Sequence, residues 1–126
     1  MTNTPANEQV AESSFLLWND RRSIQRLGGQ KQLIIKLVSL FLRDAPEQLE
    51  QASHGIKHKN YDQSHIAIHS LKGTSSNLCT KSLERICDKL LAALKEQNWE
   101  KALAVHAELN AEFISLKNEF EVFVRQ

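Results

Sequence analysis

The sequence predicts an all-α protein of six helices, the last four forming an antiparallel up-down four-helix bundle. Three observations carry that prediction. The 126 residues include only 4 Gly and 2 Pro, too few for the turns of a β-sandwich or barrel. Apolar residues recur at three-and-four spacing in every segment and alternate strictly in none. The breaks between segments are short, which makes sequence neighbours antiparallel neighbours in space. The length suits one domain with one core. A hydrophobic content of 41% with 25% charged residues is too apolar for wholesale disorder.

Residues 1–17 are polar, contain Pro5, and read as a flexible tail or linker remnant; residues 18–126 form the domain. Asn19 or Asp20 can cap a short helix from Arg21 to Leu27, and Gly28-Gly29 stops it. A second helix is expected from Gln30 to Leu42, with Leu33, Ile34, Leu37, Val38 and Phe41 on one stripe. Ile35, Leu40 and Leu42 make it apolar nearly all round, so it should be sandwiched or shared with a partner. Asp44-Ala45-Pro46-Glu47 has the chemistry of a helix start, with Asp44 as cap and Pro46 in the first turn. That third helix should run to Lys57, as a new element or as the continuation of the second past a kink.

Lys59-Asn60 reads as a break, and Asp62 as the start of a fourth helix through Ser64, Ile68, Leu71, Ser75 and Leu78. The fifth, Lys81 to Glu96, carries Leu83, Ile86, Cys87, Leu90, Leu91 and Leu94. Asn98 caps the sixth, whose predicted stripe is Trp99, Leu103, His106, Leu109, Phe113, Leu116, Phe120 and Phe123.

Composition also excludes function classes. Sixteen Lys plus Arg against fifteen Asp plus Glu leave a net charge of +1, which argues against a nucleic-acid binder. No apolar run of about 20 residues offers a membrane span, and residues 1–14 do not pattern as a secretory signal. Cys79 and Cys87 are too few to staple a secreted scaffold and are not spaced as a zinc ribbon. They read as small apolar residues in a reducing, cytoplasmic setting.

The fourth helix is the informative one. At about 100° per residue, His69 points roughly 135° from the centre of the apolar stripe and Gly73 about 175°. Asp62, Ile66, Ser76 and Asn77 fall on the same outward half. A glycine inside a helix costs about 1 kcal/mol relative to alanine, so Gly73 needs a reason. Without a Cβ there, a bulky visitor can approach the His69 ring along the helix. Lys72, three residues on, can swing its ammonium to the same place. A neutral imidazole is nucleophilic, and a phosphoryl group on it would carry about −2 charge beside that lysine.

The stretch Ala67-Ile68-His69-Ser70-Leu71-Lys72-Gly73-Thr74-Ser75-Ser76-Asn77-Leu78 resembles the signature of histidine-containing phosphotransfer (HPt) domains, of the type found at the C-terminus of hybrid sensor histidine kinases. Asp20 through Gly29, then Phe41-Leu42-Arg43-Asp44-Ala45-Pro46, resembles the usual upstream text, and Leu83, Cys87 and Leu90 the downstream pattern. The chain departs from that pattern at Cys79, where many members carry glycine, and at Leu91, where glutamate is frequent. The resemblance implies a phosphorelay intermediate. It accepts a phosphoryl group on His69 from a receiver-domain aspartate, with Lys72 and Gly73 as companions, and passes it to another receiver aspartate. It implies no autonomous kinase activity and no cofactor of its own, Mg²⁺ being supplied by the receiver.

The implied partners are receiver domains of response regulators and hybrid kinases, and a monomer would leave the acceptor face free. Lys57, Lys59, Lys72 and Lys81 against Asp62 make a basic neighbourhood suited to steering an acidic partner. Ile66 would give the docking surface an apolar centre, and His65 would flank the acceptor.

The alternative is a non-catalytic, partner-binding helical module, and behind it a histidine-rich metal-binding bundle. His65 and His69 stand four apart, but Ile66 occupies the place where a zincin helix carries glutamate. His54 or His58 is the available third ligand. Ser75-Ser76 with His69 lacks a positioned acid or oxyanion loop for hydrolase chemistry. Ser75 should bond its own helix backbone, and His106 should be a partly buried structural histidine.

Overall fold

The computed structural model describes residues 30–78 and 80–125. The predicted helix Arg21 to Leu27, the tail 1–17 and Cys79 lie outside them. Among the described residues there are four helices and no strand: α1 (Lys31–Lys57), α2 (Tyr61–Ser76), α3 (Lys81–Lys95) and α4 (Trp99–Arg125). Each packs on the next, α4 closes back on α1, and the diagonal pairs do not meet, which is the ring of a four-helix bundle. Along α1, Leu49 meets His106, Phe41 meets Phe113 and Phe120, and Lys31 lies over Phe123. Partners therefore advance along α4 as they retreat along α1, so these helices are antiparallel.

The two predicted helices before Lys57 are one. Of the two alternatives at Asp44, continuation holds and a break does not, because the buried stripe keeps its phase through it: Ile34, Val38, Phe41, Ala45, Leu49, Ala52 and Ile56. Pro46 removes one internal hydrogen bond at a cost of about 3 kcal/mol, and the apolar burial on both sides of it outweighs that cost. Asp44 is no cap. Its carboxylate accepts from Arg43 Nε at 2.8 Å on the solvent side, and that bond holds it below the usual carboxylate range. The sandwiching expected of the Gln30–Leu42 segment is partial: Ile35, Leu37 and Leu42 pack on the core, while Leu33 is exposed.

The connections are tight and similar. Lys59 takes φ 54° and Gln97 φ 55°, each followed by an asparagine. Asn60 Oδ1 accepts from Gln63 N, and Asn98 Oδ1 from Lys101 N, both at 3.1 Å. Asn60 thus both breaks α1 and caps α2, so α2 begins at Tyr61 rather than at Asp62. At its far end α2 stops at Ser76. Thr80 Oγ1 donates to Ser75 O at 2.8 Å across the turn, and Leu78 is buried in the turn rather than in the helix.

On α4 the observed stripe is Ala102, Val105, Leu109, Phe113, Leu116, Phe120 and Phe123. Leu103, expected on it, is exposed, because the straight helix phase running back from Leu109 passes through Val105 and Ala102. His106 is half-buried, and its Nε2–H donates to Leu49 O at 2.8 Å, tying α4 to α1.

Gly55 lies where α1 meets the start of α2. A Cβ there would stand 2.7 Å from Ser64 N and 3.1 Å from Asn60 O, both backbone atoms. Alanine would gain about 1 kcal/mol of helix propensity, but the overlap costs more. Gly55→Ala should therefore lower stability by about 1–3 kcal/mol in denaturant titration; an unchanged midpoint would show that the α1–α2 approach relaxes freely.

Burial pushes the Cys87 thiol from 9.0 up to about 12. From about pH 9 upward the unfolded thiol loses its proton while the native one keeps it, so this contribution to stability declines with rising pH. Urea midpoints measured between pH 8 and 10 should fall more steeply for the parent chain than for Cys87→Ala.

Candidate functional site

The orientation of α2 is fixed by what it buries. Ser64, Ala67, Ile68, Leu71 and Ser75 form its inward stripe. Ser64 Oγ donates to Asn60 O at 2.8 Å, and Ser75 Oγ to Lys72 O at 3.1 Å. Both buried hydroxyls are thereby satisfied within the helix and its cap, as expected for Ser75. These small side chains let α2 sit close against its neighbours.

The opposite face is open. His69, Gly73, Asp62, Asn77 and Ile66 are exposed, Ile66 at 63%. A Cβ built on Gly73 meets no heavy atom within 4 Å, so the space beside the His69 ring one turn away is clear. Ser76 is half-buried, its Oγ donating to Gly73 O at 3.2 Å.

The ring of His65 stacks on that of His69 with centroids 5.9 Å apart, and Tyr61 stacks on His65 at 5.2 Å. The three rings make a ladder at four-residue spacing that packs one side of His69 and leaves the Gly73 side bare. His65 therefore flanks the candidate acceptor, while Tyr61 is a member the sequence reading missed. Aromatic spacing of four residues was its signal.

Lys72 is engaged by the facing helix. Its Nζ donates to Asp88 Oδ1 on α3 at 2.5 Å, and that bond, with the nearby carboxylate of Glu84, raises its pKa above the ordinary lysine value. The ammonium is held firmly protonated toward the facing helix. Asp88 also escaped the sequence reading. Lys72 and Asp88 lie equally far from Thr80, the pivot of the α2–α3 turn, so an antiparallel hairpin brings them face to face.

The basic neighbourhood is also redistributed. Lys57 and Lys59 stand at the α1–α2 turn and Lys81 at the start of α3, at opposite ends of α2. They bracket His69 across about 24 Å of helix rather than surround it. On the α1 side, a shallow groove beside the site is lined by Asp44, Glu47, Gln51, Gln63, Ile66 and Ala67, which mixes acidic, amide and apolar groups.

The histidines do not converge on a metal. His54 pairs its Nδ1 with Gln63 Oε1 at 3.2 Å, and the His58 ring lies tilted against that of His54 at 4.2 Å while its Nδ1 donates to His54 O. Among the described residues no three His, Cys, Asp or Glu side chains come together. A lone exposed imidazole is also a poor donor set for a hard cation such as Mg²⁺, which prefers oxygen ligands.

An exposed imidazole with a cleared approach and a nearby cation is built for a group carried in and out by other molecules. The family model of the Hpt domain matches residues 36–119. The fold is that of the HPT domain of a sensor hybrid histidine kinase from Shewanella, at 20% identity, with TM-score 0.77, over 87% of this chain and 95% of that one. It is also that of a rice protein named as a histidine-containing phosphotransfer protein, at 19% identity, with TM-score 0.78, over 93% of this chain and 86% of that one. No match was found among curated proteins. Since the family match runs from within α1 to within α4 and so takes in the whole of α2, the chain belongs to the Hpt domain family, phosphorelay intermediates of two-component signalling.

Proposed function

We propose that His69 is the phosphoryl carrier of this domain, taking the group from a receiver-domain aspartyl phosphate and handing it to the aspartate of another receiver. The observation that carries this reading is the open face of α2: His69 exposed, and no heavy atom within 4 Å of a Cβ on Gly73.

The chemistry follows from an imidazole's two nitrogens. In the neutral ring one nitrogen has a free lone pair. It forms the N–P bond as the acyl phosphate O–P bond breaks, and the bonding pair leaves on the receiver's carboxylate. The proton on the other nitrogen stays on the ring or passes to water. The stack of Tyr61, His65 and His69 restricts the ring's rotation, so the attacking nitrogen is presented with less conformational freedom to lose. Gly73 gives the incoming phosphoryl group and its carrier room, and Lys72 supplies positive charge within one helical turn.

Docking uses the outward face of α2 with its α1 flank. Ile66 is the apolar centre, and the surrounding amides of Gln51 and Gln63 form a polar rim. Asn77 and Ser76 edge the surface at the far end. The Mg²⁺ that shields the transferring charge belongs to the receiver, because the donor set around His69 suits no hard cation. No described helix is long and apolar enough to cross a membrane. The reading has the domain work as a monomer in the cytoplasm, where receivers are met.

Incubation with a phosphorylated receiver and Mg²⁺ should leave acid-labile, base-stable label on the domain, and His69→Gln should abolish it. Label retained by that variant would remove His69 as carrier. Gly73→Leu should slow transfer by about tenfold or more, through misplacement of the approaching group. Its urea midpoint should not fall, since the site faces water and leucine is the better helix former. A Gly73→Leu chain that transfers at the parent rate would show that the clearance is irrelevant.

A further inference from the structure

Lys72 stands three residues beyond His69, so its ammonium can serve either the acceptor ring or the facing helix. In the structure it serves the facing helix, with Nζ on Asp88 Oδ1 at 2.5 Å. Glu84, one turn before Asp88 on α3, adds a second carboxylate on that flank. Both carboxylates thus act on the Lys72 ammonium, one helical turn from His69.

We infer that Asp88 is a positioning residue of the relay. It holds the Lys72 ammonium on α3 while His69 is empty, and competes for it with the phosphoryl group once His69 is loaded. The inference rests on His69 as the carrier.

Charge decides which way the lysine goes. A phosphoryl group on the ring carries about two negative charges and a carboxylate one. The side chains of the pair are 37% and 57% exposed, and so open a pair holds its lysine by a factor of only about 1.5 to 5. The loaded site can therefore draw Lys72 across, leaving Asp88 unpaired near the dianion. Relative to a domain without that carboxylate, loading is less favourable and unloading more so. A relay intermediate gains from this, because it must release the group it has just accepted.

The test measures the exchange equilibrium, in which the receiver's aspartyl O–P bond is traded for the His69 N–P bond and the two carriers compete for one label. Labelled receiver, Mg²⁺ and domain are mixed, and the ratio of labelled domain to labelled receiver is read at completion. Asp88→Asn should raise that ratio by about 1.5- to fivefold, whereas Asp88→Glu, which keeps the charge, should stay near the parent value. In a Lys72→Met background the Asp88→Asn shift should shrink, because the competition for the lysine is gone. A ratio unchanged or lowered by Asp88→Asn, or an equal shift with and without Lys72, would overturn the inference. His69→Gln in the same assay separates the two claims. If it takes no label while Asp88→Asn changes nothing, the carrier stands and only the role of Asp88 falls; if it is labelled, the carrier itself is wrong.

Discussion

The phase of α2 governs everything this domain does, and that phase is set by short side chains. Ser64, Ala67 and Ser75 occupy three of its five buried positions, so α2 lies close to its neighbours and has no latitude to roll. Gly55 on α1 makes the same bargain from the other side, with no room for a Cβ against Ser64. A helix rolled by one residue would carry His69 about 100° around, out of its open face. The reactive group's exposure is therefore a packing property of the opposite side of its helix. The asparagine cap at Asn60 fixes the end of the same rod, anchoring the first turn from which the Tyr61–His65–His69 ladder is counted.

A group passed between two acidic partners needs a carrier that neither traps it nor refuses it. A deep pocket with several fixed cations would hold a phosphoryl dianion too well. The arrangement around His69 is spare: one exposed imidazole, one lysine partly committed elsewhere, and bare helix on the remaining side. The lysine's commitment to Asp88 is weak because both partners are wet. Electrostatic assistance is thus available to the loaded ring but limited in size. The lysines at either end of α2 act at longer range, on encounter rather than on the bond being exchanged.

What was legible in the sequence divides by the distance over which the cause acts. The outward half of α2, with His69, Gly73 and Ile66, follows from the three-and-four spacing of Ile68, Leu71 and Ser75, all within one rod. The cap at Asn98 is equally local. The role of Asn60 was masked by its neighbour Lys59, whose positive φ makes the pair look like a mere break. Pro46 misled for a physical reason: its missing N–H signals a helix start, but the continuous stripe from Ile34 to Ile56 supplies enough burial to carry one lost hydrogen bond. Leu103 misled because a leucine near the phase of a stripe is no more telling than the smaller Ala102 that holds the inward place. Asp88 was invisible to periodicity, since its meaning lies on another helix. Only the hairpin's symmetry about Thr80 connects it to Lys72.

The same hairpin geometry places the Lys72–Asp88 pair on the α3 flank of α2 rather than on its α1 flank. On the α1 side, α2 presents Gln63, whose amide bonds Gln51 and His54, together with Ala67 and the exposed Ile66. These α2 groups carry no charge, while Asp44 and Glu47 of α1 edge the same groove. On the α3 side lie Lys72, Asp88 and Glu84, the groups that would respond to charge arriving at the ring. Contact and electrostatic response are thus segregated to the two flanks of one helix. A partner that docks over the α1 flank can bring its aspartate over His69 while leaving the lysine–carboxylate pair in water, free to rearrange as the phosphoryl group arrives. Were the pair buried beneath the partner, separating it would cost several kcal/mol instead of the fraction that an exposed pair demands. An exposed exchange of one lysine between two anions lets the site adjust at a small cost, which tempers loading and eases release.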